Sequence, residues 1–254
     1  MLTDPYFYAV AVPAFLLVGV SKGGFGGGLG SMGVPLMALA IPVPQAAAIM
    51  LPLLMAMDVV AVWRYRRDWS REQLPVLLCG ALAGTALGYL AFKLLDEAWI
   101  RLLIGGIAVL FTVKDWLLSA LGRGAAARPH AGKGFFWSTV AGVTSFIANA
   151  GGPPLQVYML PQRLDKTVFV GTVTIYFAFI NLVKLGPFVH LGLITSGNLA
   201  TSAVLLPVAM AGIALGLWLH VRVPERPFYF WCNVFLFVTG LKLVWDGTAL
   251  LLAR

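Results

Sequence analysis

From residue 23 to residue 57 the chain runs thirty-five positions without an Asp, Glu, Lys or Arg. Uncharged stretches follow at residues 73–92, 102–113, 134–162, 167–183 and 191–221. A helix crosses a bilayer in about 20 apolar residues, and several of these runs exceed that. Such a chain folds as an all-α polytopic membrane protein. Of its 254 residues 11% are charged and 60% hydrophobic, whereas a soluble domain carries about 25% charged residues. The first apolar run leads directly into a glycine-rich stretch with no basic segment before it, so no cleavable signal peptide is expected.

The net charge of +8 does not point to nucleic acid, because the basic residues are scattered through short loops, as orientation signals are. Cys79 and Cys232 fall in apolar segments without CxxC spacing and read as small buried hydrophobes. His130, His190 and His220 are too far apart in sequence to suggest a metal site, and no metal or cofactor is expected.

Residues 19–35 read GVSKGGFGGGLGSMGVP, eight glycines in seventeen residues. Each glycine inside a helix costs about 1 kcal/mol relative to alanine, so a continuous helix is disfavoured. At membrane depth a broken backbone survives only where it is buried in protein or lines a cavity. There it presents bare N–H groups and half-helix ends to an anion. The competing explanation is a glycine face for close helix packing. That alone does not account for Lys22 or for Gly26, Gly27 and Gly28 in a row.

In order, the segments are a hairpin of two short pieces (6–20 and 29–41) and spans near 46–63, 74–94 and 99–121. A loop rich in Ala, Gly, Arg and Pro follows. A second hairpin (135–149 and 154–160) leads to spans near 167–189, 196–220 and 227–251. The implied units are a first membrane repeat at 1–121, a cytoplasmic linker at 122–133 and a second repeat at 134–254.

The halves resemble each other. GlyValSer at 19–21 is answered 123 positions later by GlyValThr at 142–144, and Asp58 falls opposite Asn181 at the same offset. AGTALG at 83–88 matches AGIALG at 211–216, and Lys114 matches Lys242, both at an offset of 128. With the loop holding Arg64, Arg66, Arg67 and Arg71 placed in the cytoplasm, alternate spans put eleven loop Lys/Arg inside. Three, Lys93, Arg101 and Arg254, lie outside. The counterpart of that basic loop, residues 190–197, has no Lys or Arg and falls outside. The expectation is therefore two inverted-topology repeats, each a short broken hairpin followed by three transmembrane helices, with both termini outside. Such folds bind substrate near the midplane, between discontinuous segments.

Charges inside a bilayer are costly and usually face a cavity or a partner. Lys22 and Lys184 are the candidate countercharges for an anion, while Lys114 and Lys242, near span ends, suit snorkelling. Asp58 is the one acid well inside a span. It either pairs with a lysine or carries a coupling proton. Around the first break Ser21, Gly26, Gly27, Gly28 and Ser31 are candidate substrate contacts. Around the second they are Ser145, Asn149, Gly151, Gly152 and Gln156, joined by Asn181, since amides donate to anionic oxygens without adding charge. Gly27 and Gly151 sit where the lack of a Cβ allows positive φ and close approach. No P-loop or HExxH pattern occurs, so no enzyme is expected.

GVSKGGFGGGLGSMGVPL, its degenerate copy GVTSFIANAGGPPLQVYMLP and the paired AGxALG segments together resemble the TauE/SafE sulfite exporter family, also called the 4-toluene sulfonate uptake permease family. The resemblance spans essentially the whole chain. It implies a secondary transporter of sulfite, sulfoacetate or other organosulfonates in the bacterial cytoplasmic membrane, with export as the expected direction. The rival readings are an anion channel and an uptake transporter for small carboxylates. The implied partners are a small anion and the lipid bilayer, with a homodimer compatible with both.

Overall fold

The computed structural model describes residues 2, 4–91, 97–120 and 127–252. It contains the helices α1 (Pro5–Gly24), α2 (Gly33–Met37), α3 (Val43–Tyr65), α4 (Leu74–Leu90), α5 (Glu97–Ala120), α6 (Ala131–Ala148), α7 (Gly152–Met159), α8 (Lys166–His190), α9 (Ser196–Arg222) and α10 (Glu225–Leu252). A 3₁₀ turn, Gly28–Met32, precedes α2, and another, Leu160–Gln162, follows α7. No strand occurs among the described residues. Five helices (α1, α3, α8, α9 and α10) are long and apolar enough to cross a membrane.

Local signals start these helices where polar sequence meets apolar sequence. Asp4 accepts the Tyr6 N–H at 2.9 Å ahead of Pro5, Asp165 accepts from Thr167 and Val168 at the head of α8, and Thr195 accepts from Asn198 at the head of α9. Each such cap is worth about 0.5–2 kcal/mol.

Helices from the two halves of the chain interleave. α1 lies along α9 and α4 along α6, while α3 packs on α8 and α5 on α10. Glycines allow these approaches: a Cβ on Gly19 would stand 2.7 Å from the Gly212 carbonyl carbon, and one on Gly142 would stand 2.9 Å from the Gly84 Cα. On α5, a Cβ at Gly105 would meet the Gly240 carbonyl oxygen at 2.6 Å. Both AGxALG segments therefore serve as landing strips for a helix of the other half, the small-residue packing that membranes favour.

The first hairpin departs from its expected form. α1 does not stop near residue 20 but continues through Lys22, Gly23 and Gly24, and the chain breaks only across 25–27. The propensity cost of Gly23 and Gly24 is offset by contact, since both press on the α9 backbone at Ile213 and Gly216. In the second half α6 begins at Ala131, inside the expected linker, whose residues 122–126 lie outside the described set. So do Lys93, Arg123 and Arg254 of the loop-charge tally and the end of the span expected at 74–94. Cys232 is buried, but Cys79 is exposed on α4, contrary to its reading as a buried hydrophobe.

Candidate functional site

A break in a buried helix leaves carbonyls without partners, and each must be satisfied inside the membrane. At the end of α1 the Ser21 carbonyl accepts from both Phe25 N and Gly27 N at 2.9 Å, and the Ser21 hydroxyl accepts from Leu29 N at 2.8 Å. Beyond it, side chains from four other helices take over. Tyr65 donates to the Gly23 carbonyl at 2.7 Å, and His220 Nδ1 donates to Gly24 at 3.1 Å. Gln156 Nε2 donates to Gly26 at 3.3 Å, and Thr239 to Gly28 at 3.2 Å. Gly26 and Gly27 hold positive φ angles of 62° and 73°, and this reverses the chain.

The second break repeats the device with different residues. The Thr144 carbonyl accepts from Ala150 N at 3.0 Å, as Ser21 accepts from Gly27, and both pairs stand 123 positions apart in sequence. The left-handed residue here is Asn149, at φ 51°, in the place of Gly26. Asn tolerates this region better than other side-chain-bearing residues. Gly151, expected to need positive φ, has φ −72°. Its lack of a Cβ is needed for packing instead, because a Cβ there would lie 2.7 Å from the Ala141 carbonyl oxygen. Pro153 and Pro154, at the start of α7, lack N–H groups, so Gly151 and Gly152 carry the donors at that helix end.

Between the breaks lies a charged cluster. Lys22 Nζ meets Asp58 Oδ1 at 2.7 Å, and Asn181 Nδ2 donates to Asp58 Oδ2 at 2.7 Å. Asp58 thus pairs with a lysine, as one of its two readings required, and it also bonds the residue that aligns with it in the other half. Lys184, only 2% exposed, donates to the Ser145 carbonyl at 2.9 Å, the Ser145 hydroxyl at 3.3 Å and Asn149 Oδ1 at 3.1 Å. Among the described residues no carboxylate pairs with Lys184. The cluster therefore holds two lysines against one aspartate.

A cavity of about 50 Å³ opens between these groups. One water needs roughly 10–15 Å³ of such space, so there is room for a few waters or a compact ion. Of the candidates read from the sequence, Lys22, Gly27, Ser31, Ser145, Asn149, Gly151, Gly152 and Asn181 line it. Lys184 reaches its wall through Ser145 and Asn149. Among the described residues the buried Ser31 hydroxyl has no hydrogen-bond partner, which leaves a polar group ready for a ligand. Ser21, Gly26, Gly28 and Gln156 do not line the space; they build the frame around the first break. Asp58 stands behind Lys22 and Asn181.

Lys114 is exposed, and Lys242 pairs with Asp246, which also meets Arg101 at 3.5 Å. Neither lysine approaches the cavity. Several contributors gave no sequence signal, Thr239 on the Gly28 carbonyl among them. Tyr65 and His220 look like ordinary span-end residues until they meet the α1 carbonyls, and Phe177, one aromatic among many on α8, lines the cavity. No group of three or more His, Cys, Asp or Glu capable of holding a metal occurs among the described residues.

Neither a curated protein nor a solved structure matches this chain. The family model described as "Sulfite exporter TauE/SafE" matches residues 11–243, nearly the whole length and both breaks. The chain therefore belongs to the TauE/SafE sulfite exporter family, and with its several long apolar helices it is a multi-pass membrane transporter.

Proposed function

We propose that this protein is a secondary transporter that exports sulfite or a related small sulfur anion across the bacterial cytoplasmic membrane, binding it in the cavity between the two breaks. The observation that carries the reading is Lys184. A buried ammonium held only by neutral oxygens is expensive, and two lysines with one aspartate leave the cluster one positive charge in excess. An anion balances it. Lys22, Lys184, the Ser31 and Ser145 hydroxyls, the Asn149 and Asn181 amides and the backbone N–H groups at Gly151 and Gly152 make up the donor set. Charge-assisted bonds of this kind are about twice as strong as neutral ones.

The halves act as inverted-topology repeats, with both termini outside. In support, the packing keeps its pattern when first-half and second-half helices are exchanged: α1 on α9 answers α6 on α4, and α3 on α8 and α5 on α10 pair across the halves. Alternating access then comes from the broken segments moving against the remaining helices, with Asp58 placed to couple a proton through its contact with Lys22.

Purified protein in liposomes tests the reading. Sulfite flux should saturate with concentration, and sulfite on the far side should accelerate exchange of labelled sulfite. Non-saturating flux without exchange would make the protein a channel. Saturable flux of acetate in place of sulfite would make it a carboxylate transporter.

A further inference from the structure

On that reading of the cavity, we infer that the ring of Phe177 is the size filter and plug of the anion site, and that it restricts the substrate to compact oxyanions such as sulfite. The ring touches both breaks at once. A methyl group built on Gly27 would stand 3.6 Å from Phe177 Cε2, and one built on Gly151 would stand 3.2 Å from Cε1. No other side chain that lines the cavity is placed against a glycine of each break by these approaches. The ring therefore fills the gap through which an anion must pass when the broken segments part.

Its neighbour shows why Phe177 is the part that moves. Tyr176 is buried, and its hydroxyl donates to the Ser138 carbonyl at 2.8 Å. Phe177 packs edge-on against it, with centroids 5.1 Å apart and an interplanar angle of 82°, but it is only partly buried and carries no polar group to tether it. Leu54 of α3, which stands 123 positions before Phe177, supplies a second apolar wall to the same cavity.

Size follows from this geometry. At roughly 10–15 Å³ of such space per water-sized group, about 50 Å³ matches a sulfur with its three oxygens, and the methylene and carboxylate of sulfoacetate or an aromatic ring would need more. The oxygen-facing groups (Lys22, Ser31, Asn149, Asn181) read the charged head, so any sulfonate head satisfies them. Discrimination falls to the apolar wall, where a single methylene changes selectivity roughly 10–200-fold.

The test is binding of sulfite, methanesulfonate, ethanesulfonate and benzenesulfonate to wild-type protein, Phe177→Ala and Phe177→Leu, each folded and monodisperse. The wild type should bind sulfite and lose affinity steeply along the series. Phe177→Ala should shift selectivity, raising the affinity for ethanesulfonate and benzenesulfonate relative to sulfite by about tenfold or more. Phe177→Leu should fall between the two, and it serves alone if the alanine variant does not fold. Sulfite binding with the same selectivity in all three proteins would overturn the role of the ring and leave the site standing. No sulfite binding by the wild type would overturn the site itself.

Discussion

Replacing Asp58 by Leu should destabilise the protein severely, and replacing Lys22 by Met at the same time should restore most of what is lost. Lys22 Nζ and Asp58 Oδ1 are 2.7 Å apart, with side chains 9% and 7% exposed. Removing one member of a buried pair leaves the other charge uncompensated, at a cost of about 3–5 kcal/mol. Asp58→Leu also orphans the Asn181 amide, which donates to the second carboxylate oxygen; an unsatisfied buried donor adds about 1–3 kcal/mol. Lys22→Met alone should cost about 3–5 kcal/mol, because Asp58 then keeps only the neutral amide. The double replacement removes both charges, and apolar substitutes for buried pairs are often neutral. The expected non-additivity is therefore at least about 3 kcal/mol, whereas independent sites add within about 0.5 kcal/mol. Equilibrium unfolding in mixed micelles, followed by circular dichroism, measures all four proteins. Additive single effects, or a stable Asp58→Leu protein, would refute the pairing and the charge count built on it.

Other outcomes follow from the same geometry. Gly19→Ala should destabilise the protein and loosen α1 from α9, because its Cβ would meet Gly212 backbone at 2.7 Å. Gly106→Ala, with nothing within 4 Å, should be neutral or gain up to about 1 kcal/mol from helix propensity. Asp246→Ala removes the carboxylate shared by Arg101 and Lys242 and should destabilise the protein without changing sulfite affinity. Asp58→Asn should abolish transport driven by a pH gradient in a protein that still binds sulfite; an unchanged pH dependence would make Asp58 a structural ion-pair member only. Cysteines placed at Arg67 and Arg128 should label only from the cytoplasm and one at Ser196 only from outside, and labelling of positions 67 and 196 from the same side would end the inverted-repeat reading.

The polar cluster is legible in the sequence because a membrane leaves so few reasons for polar residues. Lys22, Asp58, Asn181 and Lys184 stood out as charges and amides inside apolar spans, and the structure gathers all four around one cavity or its wall. The two glycine-marked breaks were visible for the same reason. What the chain does not spell is which helix each face meets. Gly19, Gly23 and Gly24 read as helix breakers by propensity, yet they remain helical because α9 fits against them. Likewise Asn149, not Gly151, takes the left-handed turn, and its side chain then becomes a ligand of Lys184. Tyr65, His220 and Thr239 answer particular orphan carbonyls, and such partnerships depend on tertiary contacts with no local pattern.

Sulfite titration of folded, monodisperse wild-type protein beside Lys184→Met tests the central claim most directly, with Lys114→Met at an exposed position as control. Calorimetry or thermal stabilisation reads the affinity, since a ligand that binds the native state raises apparent stability. A charged hydrogen bond is worth about 1.5–3 kcal/mol, so Lys184→Met should weaken sulfite binding roughly tenfold to more than a hundredfold, while Lys114→Met should not change it. Wild-type affinity in the Lys184→Met protein would mean that the anion binds elsewhere, and that the buried lysine between the two breaks is not the reason this chain transports anything.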